Sequence, residues 1–305
     1  MLTNMDHVLN NGSPKESTSL KNKINDWEIA PFDLLVDRTQ LIGKGEFGHV
    51  YLAKWRSTQV VAKIMNKDIG DDQKNLFLNE FDNLSKSHHP NIVQIFGYVE
   101  NPFIIVMEYL PQNNLLYHIN KNRLCLLIKI DICLDILKGV EYLHNRQPQS
   151  IIHRDLKPQN IILNSSMTAK ICDFGLSKLL KSNDNLNSPI LSKSSKSNNF
   201  LDEDLTLFVG TKRYMSPEVS KHLKYNHKTD IWSVGIIFLE LFENRRYNSN
   251  FYWIKTPKKI KNIISQSMLI EDPENRLDAK EIILLFEQIK SKYTNKYWYN
   301  LYHRK

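Results

Sequence analysis

The chain has 305 residues, 41% of them hydrophobic and 24% charged, with 41 Lys and Arg against 33 Asp and Glu and a formal net charge of +8. This composition excludes a fibrous or wholly disordered chain and suits one domain of two lobes, or two small domains. The basic residues are spread along the chain without a recognised nucleic-acid module, and the apolar run Leu124 to Val140 is interrupted by Lys129, Asp131, Asp135 and Lys138, so neither a nucleic-acid nor a membrane partner is expected.

Residues 1–26 are rich in Asn, Ser and Lys and are expected to form a disordered extension, because they bury too little apolar surface to offset ordering entropy. Their start, Met1-Leu2-Thr3-Asn4-Met5-Asp6, lacks the basic-then-apolar order of a signal peptide, and Leu2 excludes N-myristoylation. Cys125, Cys133 and Cys172 have neither metal-ligand spacing nor an even count. The expectation is a reducing, cytoplasmic compartment.

From Leu41 to Ile64, short β-branched runs around a glycine-bearing turn predict strands. Residues 71–87 predict a helix, with Leu76, Phe77, Glu80, Phe81 and Leu84 at three- and four-residue intervals. Strand character returns from Ile92 to Leu110, broken by Gly97 and Asn101-Pro102. Helices are then predicted over 124–145, 228–243 and 277–291. Strands followed by helices imply an α+β chain of two unlike lobes, 27–110 and 111–291, with a tail over 292–305. Within the second lobe, 181–204 is a long Ser, Asn and Lys-rich loop.

Four side chains in the second half form a chemical set. In His153-Arg154-Asp155-Leu156-Lys157-Pro158-Gln159-Asn160 and the later Asp173-Phe174-Gly175, Asp155 supplies a carboxylate to orient a hydroxyl nucleophile. Lys157 supplies a cation for the moving phosphoryl group, and Asn160 and Asp173 supply oxygen ligands for metal. The first half supplies a phosphate cradle, Gly43-Lys44-Gly45-Glu46-Phe47-Gly48-His49-Val50, whose glycines let backbone amides approach anionic oxygens. Lys63 lies on the next strand, within reach of the α- and β-phosphates. Glu80 lies on a helical face turned inward by Phe77, Phe81 and Leu84, and a carboxylate there needs a partner such as Lys63.

Taken together and in this order, these motifs resemble the eukaryotic protein kinases over about residues 27–291. Trp27-Glu28-Ile29 and the lysine in the catalytic loop look most like the tyrosine-kinase-like group. The resemblance implies a bilobal fold: a small antiparallel-sheet N-lobe with one main helix, and a larger helical C-lobe. It implies Ser/Thr kinase activity on protein substrates, with ATP and Mg2+ (Mn2+ remaining open), in a monomer. Asp155 becomes the catalytic base, Lys157 and Lys63 the catalytic cations, and Asn160 and Asp173 the metal ligands. Met107, Glu108 and Leu110 become the adenine-binding hinge, with Val50, Val61 and Ile162 enclosing the ring. Gly210 to Glu218 resembles the peptide-binding segment, with Glu218 paired to Arg276 and Asp230 bracing the backbone at His153. Phe174 and His153, with Leu84 and Ile95, are expected to stack. Two other readings stay open, a pseudokinase scaffold and a tyrosine or dual-specificity kinase, the latter disfavoured by Lys157 and Thr211.

Three departures from the family pattern carry expectations of their own. Val61 stands where the family usually has alanine, on the same side of its strand as Lys63, and would cover the adenine. The activation segment, 173–218, is long, and Arg154 is placed to bind a phosphate on it. Candidate acceptors are Thr206, Ser188, Ser192, Ser194, Ser195 and Ser197, unless Asp202, Glu203 and Asp204 already supply the charge. The interval from Trp232 to Arg276 is short, so the docking helix should be reduced near Asn248 to Pro257. There Phe251, Tyr252 and Trp253 are expected to cap the core, with a partner site as the alternative.

Overall fold

The structure is a computed structural model that describes residues 27–45, 48–65, 81, 85, 87–147, 149–174, 177–179, 211–248 and 252–302. For 178, 179 and 296–302 only the backbone is described. The chain divides into two compact units. One comprises the residues up to Lys86 with Ile95–Glu108, the other Ser87–Gln94 with Tyr109–Lys305.

The first unit is built on strands β1 (Leu34–Gly45), β2 (Gly48–Trp55), β3 (Thr58–Met65), β4 (Ile95–Val99) and β5 (Ile104–Glu108). They form one antiparallel sheet in the order β1-β2-β3-β5-β4. The two-residue period of a strand sorts its faces. Val60 and Ala62 are fully buried and pack with Ile29, Leu34, Ala53, Val99, Ile104 and Val106. Val61 and Lys63 lie on the opposite face. Glu28 bridges Tyr98, and the Ile29 amide donates to the Tyr98 carbonyl at 2.7 Å. That segment runs so close to β4 that a Cβ on Gly97 would stand 2.4 Å from the Trp27 carbonyl oxygen. Of the helix expected at 71–87, Phe81 and Ser85 are helical. Glu80, Phe77 and Leu84 lie outside the described residues. Phe81 is buried edge-on against Tyr98 at 5.1 Å. Burial, with the charges of Glu28 and Glu100, pushes the Tyr98 hydroxyl up to about 12.

The second unit is helical: α1 (Leu115–Lys121), α2 (Leu126–Asn145), α3 (Lys228–Glu243), α4 (Lys258–Ile263) and α5 (Ala279–Tyr302). Short antiparallel pairs join β6 (Ile151–Ile152) to β9 (Lys178–Leu179) and β7 (Ile161–Leu163) to β8 (Ala169–Ile171). The core is α2 and α3, with Ile130, Ile132, Ile136, Leu137, Val140, Ile231, Val234, Ile237 and Phe238 at 0% exposure. Phe286 of α5 meets Phe238 edge-on at 5.4 Å. Asn114 caps α1 by accepting from the Tyr117 amide. Asn122 and Asn244 end α1 and α3 in the left-handed conformation, which asparagine tolerates. Ser87–Gln94 groups with this unit because Val93 and Asn91 exchange backbone hydrogen bonds with Ile171.

Two sequence expectations change. The last helix runs to Tyr302 and not to 291. Among its described side chains Ile289 is the last buried one, and the sequence beyond contains no Gly or Pro to stop the helix. Tyr252, expected to cap the core, is instead 61% exposed, with the Arg245 guanidinium 4.4 Å from its ring centroid. Trp253 is half-buried, and polar contacts hold the stretch after α3. The buried Glu243 carboxylate accepts from the amides of Ile254, Lys255 and Thr256 at 3.0–3.1 Å and from the Thr256 hydroxyl at 2.5 Å. Phe251 lies outside the described residues. Cys125, Cys133 and Cys172 form no disulfide with one another.

Candidate active site

In the first unit, β1 and β2 close as a hairpin with Gly43 opposite Val50, Lys44 opposite His49 and Gly45 opposite Gly48. Its tip, Glu46 and Phe47, lies outside the described residues. Gly48 sits against β3 so closely that a Cβ there would be 2.1 Å from the Ile64 carbonyl oxygen. A backbone atom cannot rotate away as a side chain can. Gly48→Ala is therefore expected to cost on the order of 2 kcal/mol. The measurement is the urea midpoint of the full chain, which should fall; an unchanged midpoint would contradict this reading.

The sheet register gathers the expected nucleotide-facing residues. Lys63 pairs with Val50 on one side and Ile105 on the other, and Val61 pairs with Leu52 and Met107. Direct cross-strand neighbours share a face, so Val50, Val61, Lys63 and Met107 lie together. The alternation expected of Val61 and Lys63 holds. Glu108 ends β5 opposite Val60, whereas Leu110 and Ile162 belong to the second unit.

In the second unit the loop after β6 is fixed from beneath by Asp230 of α3. Its Oδ2 accepts from the His153 amide at 2.9 Å, and its Oδ1 accepts from the Arg154 amide at 3.0 Å. His144 Nε2 lies 2.9 Å from Oδ2. Burial alone would raise the Asp230 pKa. The hydrogen bond and field of His144, with His153, outweigh burial and hold the carboxyl below its ordinary value. The His153 ring links the two ends of the site: Nε2 donates to the Cys172 carbonyl at 3.2 Å, and Nδ1 accepts from the Asp155 amide at 3.3 Å. The two partners together define the tautomer. Phe174 packs on that ring at 4.9 Å. Of the rest of the expected stack, Leu84 lies outside the described residues and Ile95 belongs to the first unit.

Asp155, 7% exposed, is ringed by donors. Lys157 Nζ approaches its Oδ2 at 2.5 Å and Asn160 Nδ2 at 3.1 Å, while Oδ1 accepts from the Thr211 amide and hydroxyl, both at 3.1 Å. Lys157 also donates to Thr211 Oγ1 at 3.2 Å. Pro158 opens a short 3-10 turn ending at Asn160, its fixed φ suiting the first helical position. Register then places Asp173. Ile161 pairs with Ile171, and the Cys172 amide donates to the Asn160 carbonyl at 2.9 Å. Asn160 and the residue before Asp173 are therefore backbone neighbours. Because the Asn160 nitrogen is spent on Asp155, its oxygen is the end left to meet a cation. With the Asp173 carboxylate, this makes a set of hard oxygen donors suited to a divalent ion. Among the described residues, no group of three His, Cys, Asp or Glu forms a different metal site.

Thr211, which the sequence marks through the peptide-binding segment and as a sign of hydroxyl specificity but not as a partner of the base, closes the ring around Asp155. Beyond it, Glu218 and Arg276 pair through both oxygens at 2.6 and 2.7 Å, as expected.

The family model for the protein kinase domain matches residues 36–291. The chain belongs to the protein kinase domain family. Members use ATP and a divalent cation and act on protein substrates. This kinase domain is 40% identical over 225 residues to the serine/threonine-protein kinase VIK of Arabidopsis thaliana, covering 72% of the chain and 48% of that protein. It is 35% identical to the serine/threonine-protein kinase CTR1 of the same plant, over 71% of the chain and 25% of that protein. Against the mitogen-activated protein kinase kinase kinase 7 of Bos taurus it is 32% identical, over 69% of the chain and 33% of that protein. The chain thus spans less than half the length of these relatives. They place the kinase close to the tyrosine-kinase-like group, as the sequence motifs do.

Proposed function

We propose that this chain is an ATP-dependent serine/threonine protein kinase in which Asp155 is the catalytic base. The observation that carries the reading is the four-donor ring around Asp155. Lys157, Asn160 and Thr211 fix the carboxylate on both oxygens, so an incoming hydroxyl would meet a preset acceptor. Bound Mg·ATP supplies the transferable γ-phosphoryl group. Asn160 and Asp173 would hold the divalent cation, Mg2+ or Mn2+. Lys157, already beside Asp155, would follow the charge that develops on the moving group. Lys63 and the hairpin from Gly43 to Val50 would position the phosphates, and Glu80 would hold Lys63. Val50, Val61, Met107, Glu108, Leu110 and Ile162 would enclose the base.

Regulation through the segment 173–218 is part of this reading. Among its contacts, the Arg154 guanidinium lies 3.4 Å from the Tyr225 hydroxyl and 3.5 Å from the Ser177 carbonyl, long bonds to uncharged acceptors that a phosphate would displace. Thr206, Ser188, Ser192, Ser194, Ser195 and Ser197, the acceptors proposed for that phosphate, lie outside the described residues. The working picture is a cytoplasmic, monomeric enzyme with no nucleic-acid or membrane partner. The test incubates the full chain with radiolabelled ATP and Mg2+ on a generic protein substrate, followed by phosphoamino-acid analysis. Label on serine or threonine is the expected result. Label on tyrosine alone would overturn the specificity, and nucleotide binding without any label would make the chain a pseudokinase.

A further inference from the structure

We infer that the acceptor serine or threonine is recognised in an acidic sequence context, a substrate class that rests on the kinase reading above. The argument starts from how charge is distributed after Thr211. Between Thr211 and Pro257 the acids are Glu218, Asp230, Glu240 and Glu243, and every one is buried, at 3%, 1%, 0% and 1% exposure. Most basic residues of the same stretch face outward: Lys212, Arg213, Lys221, Lys224 and Lys255 are exposed and Arg245 and Arg246 half-buried, while the Lys228 side chain is largely covered beside Asp278. The stretch therefore presents positive charge alone to solvent. A net charge of +8 over the whole chain does not account for this sorting, because acids are present here and each has been drawn inward.

Location gives the charge its meaning. Thr211 touches Asp155 through its amide and hydroxyl, and Lys212 and Arg213 follow directly in sequence. At ~3.5 Å per residue, a peptide whose hydroxyl sits at Asp155 brings its second or third neighbours level with them. A third cation joins from α3's far end. The buried Glu240 Oε1 lies 3.9 Å from Arg213 Nη1 and 3.3 Å from Arg246 Nε, so the two guanidinium groups share one carboxylate. That carboxylate is further occupied by the Tyr214 hydroxyl at 2.9 Å and the Tyr247 amide at 2.7 Å. One buried negative charge between two arginines and an adjacent lysine leaves a positive excess beside the acceptor site. Peptide carboxylates meet that excess favourably and peptide lysines meet it unfavourably, more so at low ionic strength.

The test uses the full chain and a set of peptides with one central serine, flanked two and three positions away by Gln, Glu or Lys. The expected kcat/KM is about fivefold higher for the Glu than for the Gln peptide, in line with one or two exposed ion pairs, and lower still for Lys. The preference should shrink at high salt. Lys212→Glu, at an exposed position, should narrow or invert the Glu-to-Gln ratio, and Arg213→Gln should narrow it. Equal rates on Glu and Gln peptides would overturn the inference while leaving the kinase reading intact. So would a ratio unmoved in both variants. Tight binding of a DNA duplex without any flank preference would assign the basic surface to a polyanion and also overturn it. No label on any peptide or protein would remove the kinase reading itself, and this inference with it.

Discussion

Asp155→Asn is expected to lower phosphate transfer by about a thousandfold, with nucleotide binding retained. The wild-type carboxylate accepts on both oxygens: Lys157 and Asn160 on one, the Thr211 amide and hydroxyl on the other. Asparagine has one oxygen and one NH2 group. With its oxygen toward Thr211, its NH2 faces the Lys157 ammonium and the Asn160 amide, and donors meet donors. With the amide flipped, the NH2 faces the Thr211 N–H. Either way the oxygen proposed to take the hydroxyl proton is gone, and one side of the ring loses its acceptor. The underlying scaffold is untouched, because Asp230 holds the His153 and Arg154 amides independently of Asp155. Measured as single-turnover label transfer, the rate should collapse, while near-ultraviolet circular dichroism and the affinity for a fluorescent nucleotide stay close to wild type. Equal label in wild type and variant would refute Asp155 as the base.

The parts of this molecule that could be read from its sequence are those where chemistry or a local period fixes the residue type. The two-residue period of a strand puts Val60 and Ala62 on one face and Val61 and Lys63 on the other, and the structure buries the first pair completely. The run from His153 to Asn160 stands out because it sets a carboxylate, an ammonium and an amide within six residues, and the structure brings Lys157 and Asn160 onto Asp155. Arg276 and Glu218, by contrast, were paired through the resemblance, since nothing local joins them. Lys129 was not legible. It stands in the apolar period of α2 and is 6% exposed, with Nζ on Asn244 Oδ1 at 2.8 Å and the Phe242 carbonyl at 3.5 Å. It thus meets the negative end of α3's dipole, and only tertiary packing brings that end to it. Glu243 is a similar case: its burial makes sense only once the backbone of 254–256 returns to it. Charged side chains whose partners are distant in sequence leave no periodic trace.

Arg276→Ala is expected to destabilise the kinase domain by about 4 kcal/mol, the loss typical of breaking a buried ion pair, and to lower the thermal midpoint by about 10 °C. All five N–H groups of this arginine are used. Nη1 and Nη2 meet the two Glu218 oxygens at 2.6 and 2.7 Å, Nε donates to the Ile270 carbonyl at 2.7 Å, and the remaining two donate to the Lys228 and Glu271 carbonyls at 3.2 and 3.0 Å. The guanidinium also stacks 5.1 Å from the centroid of the Trp232 ring. Alanine would leave the buried Glu218 charge and three carbonyls without this partner. Lysine, with three donors and no planar fork, would rescue only part of the loss. The pair's net contribution is a different quantity, because desolvating both charges offsets most of their attraction. Glu218→Leu with Arg276→Met should therefore recover much of the stability that Arg276→Ala removes. Activity should not recover in step. Glu218 lies in the helical turn Pro217–Ser220, at the end of the proposed peptide-binding platform, 210–218, and the fork ties that turn to Ile270, Glu271 and the start of α3. An apolar pair fills the space without fixing that angle. If the double variant regained full phosphate transfer along with its thermal midpoint, the pair would serve stability alone, and the platform would draw its orientation from Thr211 and Asp155.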